Sequence, residues 1–287
     1  MPSKVAALAL TAGLAFPMSS VPTYTAIDQI PVIGQPIVQA YNQLPPQVKN
    51  AIRLPLTTPK PGKAQHVAPA VDVQAQLDRL VADVVGRHGG RATVAVGPFT
   101  AGDNRPEPAF STMKVPLAIA ALRQDQAFYP DAEAAVTRSD NPAAHRMFGQ
   151  VPAASYEGVI REAGARTTTP AGYQMGTMWT TSDQAEFASG LRCVAGHEPV
   201  LDMMGRIVDY QHWGLGRVGG ARFKGGWNHH EGGHLARQFG LIPGPHGDIA
   251  VAITAHSPKG HEGSFAMLNE LANGLNAMRG DLPTSRC

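Results

Sequence analysis

Phe223–His234 reads FKGGWNHHEGGH, and it admits two incompatible chemistries. His230 to His234 has the H-E-x-x-H spacing, which on a helix sets two imidazoles one turn apart with a carboxylate beside a metal-bound water. Lys224-Gly225-Gly226 instead looks like a strand carrying a lysine beside glycines. Gly232 and Gly233 fill the two variable positions of the first pattern, and adjacent glycines cost roughly 2 kcal/mol relative to alanines in a helix. With Gly225 and Gly226 just upstream, the stretch reads as a hairpin connection between strands. We therefore expect no catalytic zinc and no other cofactor, with His229, His230 and His234 on a solvated loop.

The flanking sequence agrees with strands. HLARQFGLIPGPHGDIAVAITAH is two β-type runs around a Pro/Gly/His/Gly turn, and HEGSFAMLNELANGLNAM after it is amphipathic. Far upstream, VDVQAQLDRLVADVVGRHGG places Val71, Leu77, Leu80, Val81, Val84 and Val85 on one helical stripe closed by a glycine cap, and RATVAVG then reads as a strand. The order helix, strand, helical middle, strands, helix predicts an antiparallel sheet covered by its two terminal helices, with a helical insertion between strands.

Within the middle, AFSTMKVPLAIAALR holds Ser111 and Lys114 three residues apart at the start of an apolar helical run. This spacing sends both side chains from one face of a first turn. A serine hydroxyl is a poor nucleophile unless a base lies within reach, and a lysine serves when its surroundings depress its pKa. RSDNPAAHRMF then supplies Ser139, Asp140 and Asn141 at the entry to a helix: a hydroxyl that can relay a proton and an amide that can orient a lysine or a substrate. Ser139 or Asp140 could also serve only as the N-cap of that helix.

The ordered set Ser111-x-x-Lys114, Ser139-Asp140-Asn141 and Lys224-Gly225-Gly226 resembles the penicillin-recognising serine enzymes: class A β-lactamases, DD-peptidases and penicillin-binding proteins. The resemblance spans roughly Val71 to Met278. It implies an α/β (α+β), β-lactamase/transpeptidase-like fold with an antiparallel sheet flanked by helices and an inserted all-helical subdomain. It also implies Ser111 as the acylated nucleophile, Lys114 as general base or relay, and Ser139 as proton shuttle to the leaving nitrogen. Asn141, Lys224, Gly225, Gly226 and Trp227 would contact substrate, with the N–H groups of Ser111 and Trp227 as oxyanion hole. Arg237, on the next strand, would be a second contact for a substrate carboxylate.

Three departures qualify this expectation. The family's class A members use a glutamate on an Ω-loop to activate the deacylating water. Between Glu162 and Asp183 this chain has no acidic residue, so slow deacylation is expected. Gly225 stands where Thr or Ser is usual, and the missing charge-assisted hydrogen bond is worth about 1.5–3 kcal/mol. The interval from Ser111 to Ser139 is also short, implying a more open site. The expected substrate is a β-lactam or a D-alanyl peptide of peptidoglycan; a DD-peptidase, an esterase or a silent wall-binding module on the same fold are the alternatives.

At 287 residues, with a net charge of +2 and no run of Lys or Arg, the chain is long enough for a sizeable core and carries no patch suited to nucleic acid. Lys4 precedes VAALALTAGLAFPM, an apolar run of about fourteen residues, which suits a secretion signal and is short of the roughly twenty needed for a membrane span. Residues 1–26 are expected to be removed, 27–69 to form a Pro-rich linker or arm, and 70–287 the enzyme-like domain. In that domain 70–109 and 200–287 make the α/β part and 110–199 the helical part. No cysteine near the cut offers a lipid anchor, so a monomer outside the cell or in its envelope is expected, with no transmembrane anchor after processing. Cys193 and Cys287 are the only cysteines; they could form a disulfide in an oxidising compartment or remain two thiols.

Overall fold

The computed structural model describes residues 34–45, 72–169 and 174–287. The chain divides into two units, Met1–Ala70 and Val71–Cys287. The signal segment and most of the Pro-rich stretch lie outside the described residues; in the first unit a helix, α1, runs over Gly34–Asn42.

The second unit begins with α2 (Val73–His88), capped by Asp72, whose carboxylate accepts from the Ala75 N–H, and closed by Gly89 at φ +72°. Strands β1 (Arg91–Val96) and β2 (Phe99–Gly102) follow. Near the C-terminus come β5 (Arg222–His230), β6 (Gly233–Gly244), β7 (Gly247–Ser257) and α9 (Gly260–Ala277). The sheet order is β2-β1-β7-β6-β5, antiparallel throughout. Between β2 and β5 lie β3 (Glu107–Pro108), α3 (Lys114–Gln124), α4 (Tyr129–Thr137), α5 (Asn141–Phe148), α6 (Ala153–Glu162), β4 (Met178–Trp179), α7 (Thr181–Gly190) and α8 (Glu198–Met204).

Both faces of the sheet are buried, and the period of two assigns each residue to one of them. Val94, Val96, Ala236, Ile242, Val251 and Ile253 pack with Leu77 and Val84 of α2 and Leu268 and Leu271 of α9. Ala95, Phe239, Leu241, Ala250 and Ala252 face the helical part, packed with Leu117, Phe187 and Trp179. Cys193 and Cys287 are joined, with Cα atoms 5.7 Å apart. The tail is held further where Arg286 N–H donates to Ser189 Oγ at 2.9 Å and Ser285 N–H to Asp248 O at 2.7 Å.

The H-E-x-x-H segment is a hairpin. His230 pairs with Gly233 across a two-residue turn in which Glu231 and Gly232 both have positive φ, +46° and +72°, the signature of the primed turn whose twist suits antiparallel strands. The two terminal histidines of the motif thus sit on different strands. His230 Nε2 lies 3.0 Å from Glu107 Oε2. His234 is not on a solvated loop: it is buried, with Nδ1 2.8 Å from Ser264 Oγ.

Candidate active site

The segment that carries Ser111 is a short 3-10 turn, Phe110–Met113, running directly into α3. Two backbone bonds clamp its start to the segment before β4: Ala109 N–H donates to Thr177 O and Phe110 N–H to Met175 O, each at 2.7 Å. Phe110 is held at φ +49°, a region a bulky side chain rarely adopts, which marks local strain just before the serine.

β5 lies against this turn from the other side. It is an edge strand, so the backbone groups it does not share with β6 are available to a ligand. Lys224 and Gly226, opposite Phe239 and Arg237, project toward the helical part; Gly225 and Trp227, opposite Gln238 and Ala236, project the other way. A Cβ on Gly226 would sit 2.7 Å from Ala109 O, 2.8 Å from Ser111 N and 2.9 Å from Phe110 Cβ. Glycine there is what lets the strand approach the serine. A Cβ on Gly225 would instead meet Trp213, 2.9 Å from Cη2. The side chain absent at Gly225 is thus replaced in space by an indole, which stacks on Phe265 with centroids 4.0 Å apart and meets Trp227 edge-on at 5.4 Å.

The turn before α5 divides its labour. Asp140 is the N-cap, its carboxylate accepting from Ala143 N–H at 2.7 Å. Ser139, at φ +62°, and Asn141 face two lysines. Lys114 Nζ donates to Ser139 O at 2.6 Å, to Asn141 Oδ1 at 2.7 Å and to Ser139 Oγ at 3.3 Å. Lys224 Nζ donates to Ser139 Oγ at 3.1 Å and to Gly225 O at 2.9 Å. Ser139 Oγ is therefore the shared contact of both ammonium groups. Each lysine is fully buried, and burial disfavours the charge: it pulls Lys114 down to about 8 against a partial restoring pull from Asp140. Lys224 is pushed well below its ordinary value by burial and then by Lys114.

Above these groups is an open cleft of about 500 Å3, lined by Ser111, Ser139, Asn141 and Trp227, and further by Arg138, Tyr210, His229, His234 and His261. Among the described residues that line it there is no Asp or Glu. In this arrangement the Ser111 hydroxyl points at Met175 Sδ, 3.9 Å away, while Lys114 is engaged by residues 139 and 141.

Arg237 does not belong to the cleft. It shares its sheet face with Phe239 and Leu241, is fully buried, and donates to Gln184 Oε1 at 2.9 Å and Glu107 O at 2.8 Å. Strand parity turns it into the interior, so the expected contact with a substrate carboxylate is withdrawn. Arg138, exposed in the cleft immediately before Ser139, is the guanidinium positioned to meet an anion. Its place at the foot of the Ser-Asp-Asn turn was the sequence signal that could have found it.

The same topology occurs in solved structures. The TLA-3 extended-spectrum β-lactamase superimposes with a TM-score of 0.61 at 15% identity, covering 71% of this chain and 98% of that one. The fold is the β-lactamase fold. A β-lactamase from Sphaerobacter thermophilus DSM 20745 matches with a TM-score of 0.59 at 19% identity over 73% of this chain and 98% of its own. One from Xanthomonas campestris pv. campestris matches with 0.57 at 17% identity over 73% and 100%. No protein-family model matches the chain, and no curated protein sequence matches it. Among the described residues, no helix is long and apolar enough to cross a membrane.

Proposed function

We propose that this chain is a secreted penicillin-recognising serine hydrolase that forms an acyl-enzyme on Ser111 with a β-lactam or a D-alanyl peptide and releases it slowly. The observation that carries the reading is the pair of buried lysines sharing Ser139 Oγ beside the serine. Both lysines are fully buried beside the cleft that Ser139 lines, and a lysine with a depressed pKa beside a hydroxyl is what activation of that hydroxyl requires.

In the mechanism, Lys114 loses a proton and its lone pair accepts from the Ser111 hydroxyl, which turns from Met175. Ser111 Oγ attacks the amide carbon; the oxygen of that carbonyl is held by the N–H groups of Ser111 and Trp227. Ser139 passes a proton to the departing nitrogen, and Lys114 restores it. Asn141 orients Lys114 and the substrate amide. A substrate carboxylate is drawn by Lys224 and Arg138, and its arrival favours the charged form of Lys224. Among the described residues no carboxylate lines the cleft, and Glu162 is spent on Arg123 and the Ala195 N–H, which supports slow deacylation. The likeness to β-lactamases and the N-terminal apolar run support the substrate class and the export.

A fluorescent penicillin should label the wild type covalently and leave Ser111→Ala unlabelled. Absence of label in the wild type would favour a silent binding module. Turnover of a chromogenic cephalosporin faster than about one per second, within the ordinary range of enzymes, would overturn slow release.

A further inference from the structure

Met175 is a residue that neither the motifs nor the cleft explains. It follows a stretch with no acidic side chain, and its main chain is tied to the nucleophile's own turn: Phe110 N–H donates to Met175 O and Ala109 N–H to Thr177 O, each at 2.7 Å. These bonds fix the backbone of residues 175–177 beside Ser111. The thioether is half-buried against the helical core, and its Sδ receives the Ser111 hydroxyl at 3.9 Å. It is not among the residues that line the open cleft, yet its sulfur stands against the Ser111 hydroxyl.

We propose that Met175 sets the lifetime of the Ser111 acyl-enzyme by keeping water off the ester. The inference rests on acylation of Ser111 as proposed above. Once Ser111 is acylated, its oxygen has no proton to offer, and the atom beside it is a sulfur that is a weak acceptor and carries no donor. The acyl group would occupy the cleft, and Met175 Sδ stands against the ester oxygen from outside that lining. Hydrolysis requires the water oxygen to bond to the acyl carbon while its proton passes to a base. The C–Oγ bond then breaks, and Ser111 Oγ takes the proton back. Met175 fills the space that water needs and supplies no base. Lys114 is held by Ser139 and Asn141.

The test compares wild type, Met175→Ala and Met175→Glu by intact mass after a pulse of benzylpenicillin, following adduct formation and adduct loss separately, with folding checked by thermal melting. A carboxylate at this position can take the proton of the attacking water, and general-base catalysis contributes about 10²–10⁴-fold. Met175→Glu should therefore lose its adduct at least about 10²-fold faster than wild type. Met175→Ala, which opens the space without adding a base, should show a smaller rise, and in both the change should fall on loss of the adduct. Adducts that persist in both variants as long as in wild type overturn the inference while leaving acylation intact. If Met175→Glu does not fold, Met175→Ala and Met175→Gln carry the comparison, and unchanged adduct loss in both overturns it equally. No adduct on the wild type overturns acylation itself and this inference with it.

Discussion

Gly226→Ala is the sharpest single perturbation of this site. The added Cβ would lie 2.7 Å from Ala109 O, 2.8 Å from Ser111 N and 2.9 Å from Phe110 Cβ. Ordinary van der Waals contacts of a carbon are about 3.5–4.0 Å, so the strand or the serine's turn must retreat by roughly 0.5–1 Å. The retreat has few outlets, because the turn is clamped to residues 175 and 177 and β5 is paired with β6 along its whole length. Overpacking of this kind costs about 1–3 kcal/mol, which for a domain of this size lowers Tm by about 2–12 °C. The effect on chemistry is larger, since the atoms forced apart include the Ser111 N–H. A misplacement of about 1 Å costs on the order of 10²-fold, and loss of one oxyanion donor about 10²–10³-fold. We expect the second-order rate of penicillin adduct formation to fall by about 10²-fold or more. Gly225→Ala, whose Cβ meets the rim of the Trp213 indole on the other face, should melt lower yet keep the acylation rate within about tenfold. Stopped-flow or quenched mass measurements on both variants decide it. A Gly226→Ala protein that acylates at the wild-type rate would refute the close approach of β5 to the serine as the basis of the site.

Three further outcomes follow from the same contacts. Burial lowers Lys114 to about 8, so its neutral form gains as pH rises through that value. Acylation measured from pH 6 to 9.5 should climb about tenfold per unit at the acid end and level off above about 8; a flat profile would remove Lys114 as the base. The disulfide closes a separation of 94 residues, for which the chain-entropy account gives about 4–5 kcal/mol. Cys193→Ser/Cys287→Ser should therefore melt markedly lower under oxidising conditions, and an unchanged Tm would show that the other tail contacts suffice. Arg237→Ala strands Gln184 and Glu107 O in the interior, at about 1–3 kcal/mol for each unsatisfied group. It should lower Tm while changing acylation by carboxylate-bearing and carboxylate-free substrates equally; a selective loss for the former would return Arg237 to the cleft.

The strands and terminal helices were legible because their patterns are local. RATVAV is β1 and the Pro/Gly/His/Gly turn joins β6 to β7. The stripe containing Leu77, Val81 and Val84 is the buried face of α2. Lys114 and Lys224 meet at the Ser139 hydroxyl, Asn141 holds Lys114, and Ser111 shares a cleft with Ser139 and Asn141, although these residues are far apart in sequence. What the sequence could not supply was register. Arg237 looked like a cleft residue until its pairing with Gly226 put it on the inner face of β6. His234 lies not on a loop but near the start of β6, with Ser264 of α9 as partner. Met175 carries no motif at all; its position depends on backbone bonds to residues 65 positions upstream, which nothing in the intervening composition announces.

The proposed chemistry stands on an ester at Ser111. Wild-type protein incubated with benzylpenicillin, digested and mapped by tandem mass spectrometry should carry the penicilloyl mass on the peptide containing FSTMK, localised to Ser111, and the intact adduct should persist for minutes. A peptide left unmodified at saturating drug, or an adduct localised to any residue other than Ser111, would rule out Ser111 as the nucleophile.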